Sequence, residues 1–383
     1  MLPKHPYHIW LFCNVIDNYG DIGVSWRLAR SLQRELNAEV SLWVDDFAAL
    51  AALCPDVPPL PCRYQAIHLY RWNPNHAEAA ETLPPPDMVI ETFACELPEN
   101  IQQIIRNSRP VWLNWEYLSA EASNERLHLL PSPQAGGIQK YFWFMGFGEV
   151  GGGLIRERDY CIYPPDEQEQ FRSKINLPQT DTPTWLLFGY RSEIWAKWLE
   201  MWRQYDKPMT LLLAGGQIID SLRQSGCVPP DALQHDGSSF CTGCLTLYRL
   251  PFVPQQDFDR LLQFSDGLIV RGEDSFVRAQ YAAKPFFWHI YPQDENVHLD
   301  KLHAFWRKAA DCYAPEISAA HQALSDELNG GITLTAQERL HAWKLLDSRF
   351  DVWRRSTETW RDFLFAQPSA LEKLAKFISN TLK

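Results

Sequence analysis

Two carboxylates close to the amino terminus have the spacing of a catalytic pair. The apolar run His8–Val15 ends in Ile16-Asp17-Asn18-Tyr19-Gly20-Asp21-Ile22-Gly23, so Asp17 and Asp21 lie four apart across a turn that contains glycine. Asp21 falls at the start of the helix that follows, where the helix dipole favours an ionised carboxylate, as a base requires. A dinucleotide fingerprint does not fit this loop. Asn18 replaces the first glycine, and two carboxylates would face the pyrophosphate. The same residues also suit a plain helix N-cap at Asp21 and a turn at Asp17, and residue type alone leaves both readings open.

A second set of polar groups lies in DGLIVRGEDSFVRAQYAAKPFFWHIYPQDEN, residues 266 to 296. A short apolar strand ends in Arg271-Gly272-Glu273-Asp274-Ser275, which opens a helix. The backbone N–H groups of such a start suit a diphosphate. Lys284-Pro285 then turns the chain, and a second strand leads into Tyr291-Pro292-Gln293-Asp294-Glu295-Asn296. This order resembles the donor half of the glycosyltransferase B fold, in which the first loop meets the diphosphate and the second the sugar. Arg271 either offsets phosphate charge or pairs with Glu273. Gly189-Tyr190-Arg191 and Phe252-Val253-Pro254-Gln255 follow two other strands and would open on the same crevice. Tyr190 and Phe252 suit a base or ribose between them and Gln255 suits the base edge, although core packing explains each aromatic equally well. No DxD stands at a strand end. Asp45-Asp46 reads as a solvated turn, and the Cys241/Cys244 pair near His235 has no second pair, so no metal is expected.

The elements needed to position these loops alternate along the chain. Helical spacing links Ile22, Trp26, Ala29, Leu32 and Leu36; strands are expected at 39–44, 87–90, 110–114 and 140–145, with a short helix at 47–53. Glycines 146, 148 and 151–153, followed by YPPDEQEQ, mark a break. Beyond it strands at 185–188, 209–214, 245–251, 267–270 and 286–290 alternate with helices, and the chain is mainly helical from His298. The expectation is α/β: two Rossmann-like domains facing each other, each with a parallel doubly wound sheet, and a helical carboxyl terminus. Residues 1–150 are expected to form the acceptor-binding domain, joined by the last helix at 366–383, with residues 151–183 as a linker and 184–365 as the nucleotide-sugar domain.

Composition narrows the class. The 383 residues carry a net charge of −11, of which residues 1–150 hold −7, ten Lys and Arg standing against seventeen Asp and Glu. That disfavours nucleic acid and favours a cationic guest for the first half. No stretch of eighteen apolar residues is present, and the start lacks the layout of a signal peptide. Nine cysteines scattered through apolar runs suit buried thiols in a reducing cytoplasm. The sixteen tryptophans are expected in aromatic cores rather than stacked on carbohydrate.

IDNYGDIGVSWRLARSL, Leu113–Glu121 with Asn124–His128, KYFWFMGF, RGEDSFVRAQ and YPQDENVHLDKL together resemble the elongation factor P arginine rhamnosyltransferase family over nearly the whole chain. The resemblance implies a glycosyltransferase B fold and an inverting transfer of L-rhamnose from dTDP-β-L-rhamnose to one arginine of translation elongation factor P, activating it. No metal or other cofactor is implied. By motif, Asp21 is similar to the general base, and Asp17 and Glu273 to supporting catalytic acids. Asn18, Tyr190, Phe252, Gln255, Arg271, Gly272, Glu273, Asp274 and Ser275 resemble the donor-binding set. A non-catalytic nucleotide-sugar binder, or a transferase with another acceptor, is the alternative.

Overall fold

The computed structural model describes residues 6–16, 19–177 and 181–381. Contacts divide the chain into two compact units, Met1–Tyr160 with Leu364–Lys383, and Cys161–Phe363.

The first unit runs β1 (His8–Cys13), α1 (Gly20–Glu35), β2 (Glu39–Val44), α2 (Phe47–Leu53), β3 (Cys62–Tyr64), β4 (Ile67–Asn73), β5 (His76–Ala77), β6 (Met88–Thr92), α3 (Glu99–Ser108), β7 (Val111–Glu116), α4 (Ala122–Leu127), β8 (Pro131–Gln134) and β9 (Ile138–Phe144). Its main sheet has the order β3-β4-β2-β1-β6-β7-β9-β8. The six inner strands pair in parallel and the edge strands β3 and β8 antiparallel. The near-continuous apolar run of β1 is what a strand covered on both faces requires, and residues 9–13 are fully buried. Leu11 stands in register between Leu42 and Ile90. Because the chain passes from β1 to β2 on one side and later to β6 on the other, the sheet switches direction at β1. Crevices form at the carboxyl ends of strands at such a point, and the acidic loop leaves β1 there.

Tryptophan fills the space beneath. Trp10, Phe12, Trp43 and Trp72 form one cluster, with Phe12 stacked on Trp43 at 4.7 Å. Trp26, Trp115 and Trp143 are also fully buried. The glycine run also serves packing. A Cβ on Gly152 would lie 2.4 Å from Trp143 Nε1, and Gly153 has φ +76° against the backbone of residues 368–370.

The second unit contains α5 (Pro165–Lys174), β10 (Thr184–Leu187), α6 (Ile194–Tyr205), β11 (Met209–Ala214), α7 (Gln217–Gln224), β12 (Ser239–Thr242), β13 (Leu245–Leu250), α8 (Gln255–Phe264), β14 (Gly267–Arg271), α9 (Asp274–Ala282), β15 (Phe286–His289), α10 (Val297–Ala309), α11 (Pro315–Leu328), α12 (Ala336–Ser348) and most of α13 (Phe350–Ala366). The strand order is β12-β13-β11-β10-β14-β15, parallel except for the β12 edge. Here the switch lies at β10, between β11 and β14. Trp185, Trp195, Trp198, Trp202, Trp343, Trp353 and Trp360 are fully buried, so aromatic packing again accounts for the tryptophan load.

After α13 the chain counts with the first unit, where α14 (Ala370–Thr381) places Lys373 Nζ 2.6–2.9 Å from the carbonyls of Gly148, Glu149 and Gly151. The 151–183 run expected to be a linker is divided, since residues 151–160 count with the first unit and 161–183 with the second. It also contains α5, whose Pro165 stands at the first helical turn with Asp166 and Glu167 beside it, a helix-start pattern. Sequence periodicity also passed over β4 and α3.

Candidate active site

In the first unit the loop after β1 is held by carboxylates. Asp45 accepts from Asn14 Nδ2 and from the Val15 N–H, both at 3.0 Å. The N–H of Ile16 donates to Asp21 Oδ2 at 2.7 Å. Asp17 and Asn18 lie outside the described residues. Tyr19, not Asp21, holds the N-cap position of α1, and Asp21 sits in its first turn with only 2% exposure. The N-cap alternative for Asp21 therefore does not hold: its carboxylate reaches back to the loop rather than capping its own helix. Asp46 does cap α2, accepting from the Ala49 N–H at 3.1 Å, so the Asp45-Asp46 pair is a structural turn.

A residue that sequence reasoning did not single out completes this corner. Tyr117, just beyond β7, donates its hydroxyl to Asp21 Oδ1 at 3.4 Å. Phe93, just beyond β6, stacks on the Tyr117 ring at 4.2 Å. The one signal available in the chain was position: Tyr117 and Phe93 follow parallel strands and so end at the same edge of the sheet as Asp21. Nearby, Cys13 is buried beneath the loop, and burial pushes its thiol up to about 12, so it stays protonated.

In the second unit the groups expected for a donor are brought together in two clusters. Arg271, at the end of β14, is buried with its guanidinium 4.6 Å from the Phe188 ring centre and 4.7 Å from that of Tyr190. Such faces attract a cation that has lost water. The Tyr190 face expected to receive a base thus carries Arg271. Its backbone is pinned on both sides: the N–H donates to His289 Nδ1 at 3.2 Å and the carbonyl accepts from Trp195 Nε1 at 2.8 Å. Gly189 permits this approach, since a Cβ there would lie 2.3 Å from Trp195 and 2.9 Å from His289. His289 is driven down to about 3, first by burial and then by the Arg271 charge, so it is a neutral acceptor.

The other cluster lies where α8 and α9 begin. Gln255 is buried and its Nε2 donates to Asp274 Oδ2 at 3.3 Å. Glu273 occupies the N-cap position of α9 and Asp274 its first turn, with Ser275 next and both partly exposed. Gly272 takes φ +63°, and its carbonyl accepts from Trp288 Nε1 at 2.9 Å, which turns the loop. Phe252 stands half-exposed beside Gln255, and Tyr291 is 56% exposed with its ring edge-on to Tyr190 at 5.3 Å. A cavity of about 340 Å³ adjoins these loops, walled by Arg191, His289, Ile290, Pro292 and Asn296 among others. Among the described residues no cluster of three or more His, Cys, Asp or Glu is arranged to hold a metal ion, and no helix is long and apolar enough to cross a membrane.

Each unit thus presents a helix start and polar loops at the carboxyl ends of a parallel sheet, which is the glycosyltransferase B arrangement of elements. Comparisons with known proteins agree. Residues 9–379 match the family model described as elongation factor P (EF-P) rhamnosyltransferase EarP. The chain is 63% identical over 380 residues to the protein-arginine rhamnosyltransferase of Neisseria meningitidis serogroup B (strain H44/76), covering 99% of this chain and 98% of that one. It is 37% identical to the enzyme of the same name from Pseudomonas aeruginosa, over 97% and 99% of the two chains. A solved structure described as the basis for EarP-mediated arginine glycosylation of translation elongation factor EF-P superposes with a TM-score of 0.66 at 28% identity, over 98% and 99% of the chains. MurG of Acinetobacter baumannii, at 15% identity and a TM-score of 0.53 over 98% and 100%, shares the fold.

Proposed function

Because this chain belongs to the elongation factor P rhamnosyltransferase family, we propose that it transfers L-rhamnose from dTDP-β-L-rhamnose to an arginine side chain of translation elongation factor P, with inversion. The observation that carries the chemistry is the buried carboxylate of Asp21, held by a 2.7 Å hydrogen bond at the end of the central strand of the first unit.

Arginine is a difficult nucleophile. Its guanidinium holds its proton far above neutral pH, which puts the neutral form roughly 9 kcal/mol uphill at pH 7. An aspartate with an ordinary pKa near ~4 cannot take that proton in advance. In the reaction we assign, carboxylates hold the guanidinium and localise its charge, Asp17 and Glu273 assisting. One nitrogen attacks the anomeric carbon, the bond from that carbon to the diphosphate oxygen breaks, and the proton passes to Asp21 as the C–N bond forms. The departing dTDP takes the electron pair. Arg271, Ser275 and the first-turn N–H groups of α9 stabilise its charge, and Phe252 and Gln255 hold the nucleoside.

The donor loops carry an arginine and a helix start where metal-dependent transferases carry a DxD, which supports a reaction without a divalent ion. All nine cysteines are free, which supports a cytoplasmic setting. Intact-mass measurement of elongation factor P after incubation with the enzyme and dTDP-rhamnose tests the proposal. One added deoxyhexose is expected, in EDTA as well as without it. An unchanged mass would sink the acceptor or donor assignment, and a gain abolished by EDTA but restored by magnesium would sink metal independence.

A further inference from the structure

We propose that Tyr117 is a positioning residue for the transfer, holding the Asp21 carboxylate in the orientation from which it takes the proton; this rests on Asp21 acting as the base. The two oxygens of Asp21 are engaged from different directions. The Ile16 N–H donates to Oδ2 at 2.7 Å and the Tyr117 hydroxyl to Oδ1 at 3.4 Å. A carboxylate held at both oxygens has lost its freedom to rotate, and the lone pairs left over point in a fixed direction. A positioned base gains its rate from that direction.

Tyr117 is itself held with unusual care. Its ring stacks on Phe93 at 4.2 Å with only 15° between the planes. Phe93 and Ala94 are two consecutive non-glycine residues in the left-handed region, with φ of 58° and 55°. Such residues persist only where the surroundings over-determine them, and they gather at functional sites. Here the surroundings are explicit. The Phe93 N–H donates to the Trp115 carbonyl at 2.8 Å, and the Ala94 N–H donates to Oδ1 of fully buried Asn114 at 2.9 Å. Asn114 in turn donates to Glu116. The carboxyl ends of β6 and β7 are thereby tied to each other so that Phe93 backs Tyr117 and Tyr117 reaches α1. At 3.4 Å the hydroxyl contact is weaker than the bond from Ile16, so its loss costs rate rather than folding.

The test is Tyr117→Phe, which keeps the ring and its stack and removes only the donor. Turnover, the KM for elongation factor P, dTDP affinity, melting temperature and the pH dependence of kcat are measured together. We expect kcat to fall roughly tenfold with dTDP affinity and melting temperature unchanged. The acid limb of kcat moves to higher pH, because losing a donor to the ionised carboxylate makes protonation easier. Phe93→Leu gives a smaller change of the same sign. Wild-type kcat and an unmoved acid limb in a folded Tyr117→Phe would overturn the proposal. Asp21→Asn run alongside separates the two readings. If it is inactive while Tyr117→Phe is unchanged, only the role of Tyr117 falls. If Asp21→Asn turns over normally, the base assignment falls and takes this proposal with it.

Discussion

The two units place their functional loops in the same way and hold the charged group in opposite ways. In the first, the loop bearing Asp21 leaves the switch strand β1 and enters α1; in the second, Arg271 closes β14, the parallel neighbour of the switch strand β10, just ahead of α9. At that loop in the first unit the buried charge is Asp21, held by an N–H and a hydroxyl donor. In the second it is Arg271, lying between the rings of Phe188 and Tyr190. The contrast follows from the ions. A buried carboxylate is an acceptor only and needs donors to replace water. A guanidinium is flat and weakly hydrated, so aromatic faces replace part of its water. One backbone plan therefore serves opposite charges, and the surrounding side chains decide which.

The sharpest way to break that comparison is Asp21→Asn, which keeps size and most hydrogen bonding but removes the proton acceptor. Turnover should fall by roughly 100-fold or more with dTDP affinity nearly unchanged. Near-normal turnover in a stably folded variant would make Asp21 a structural residue, no different in kind from Asp45. Next in size is Arg271→Met, which keeps a flexible chain against the two rings but loses the charge. Calorimetry should show dTDP affinity weaker by roughly 10- to 100-fold, the usual worth of a charge-assisted contact. Unchanged affinity would mean that the cation–π pair serves packing alone.

A separate contrast concerns acid stability. Burial lowers His289 to about 3 and His321 to about 4 in the second unit, and His128 to about 4 in the first. In the unfolded chain each titrates near 6.5. Their contribution is therefore full above about pH 6.5 and is lost as the pH falls toward 4, because only the unfolded chain takes up the protons. Each costs about 1.4 kcal/mol per pH unit in that window. Denaturant melts at stepped pH should show the decline, and His289→Gln should make it shallower. An equal slope in the variant would show that His289 is already charged in the folded protein.

How far the residues themselves announced this architecture depends on the kind of signal. Short apolar runs such as LFCNV and LLLA, bounded by polar turns, read as strands covered on both faces. Glu39–Val44, Phe47–Leu53 and Met209–Ala214 have the bounds periodicity indicates. By contrast, IHLYRWN alternates too weakly to show as a strand, and β4 forms because β2 offers it an open edge. The glycine run 151–153 has the composition of a hinge, but packing against Trp143 and residues 368–370 is what requires it.

The same division holds at the site. Sequence alone determined that Asp21 opens a helix after a buried strand, and that Arg271 and Ser275 lie at another strand-to-helix turn, because these are local relations between neighbours in the chain. It could not decide that Asp21 faces Ile16 and Tyr117 instead of capping α1, since Tyr117 is ninety-six positions away. Nor could it decide that Tyr190 lies beneath Arg271 and against His289, which is ninety-nine positions distant. Contacts of that span depend on the order and register of strands in the sheet. That order follows from burying every apolar face at once, a condition on the whole chain that no local pattern contains.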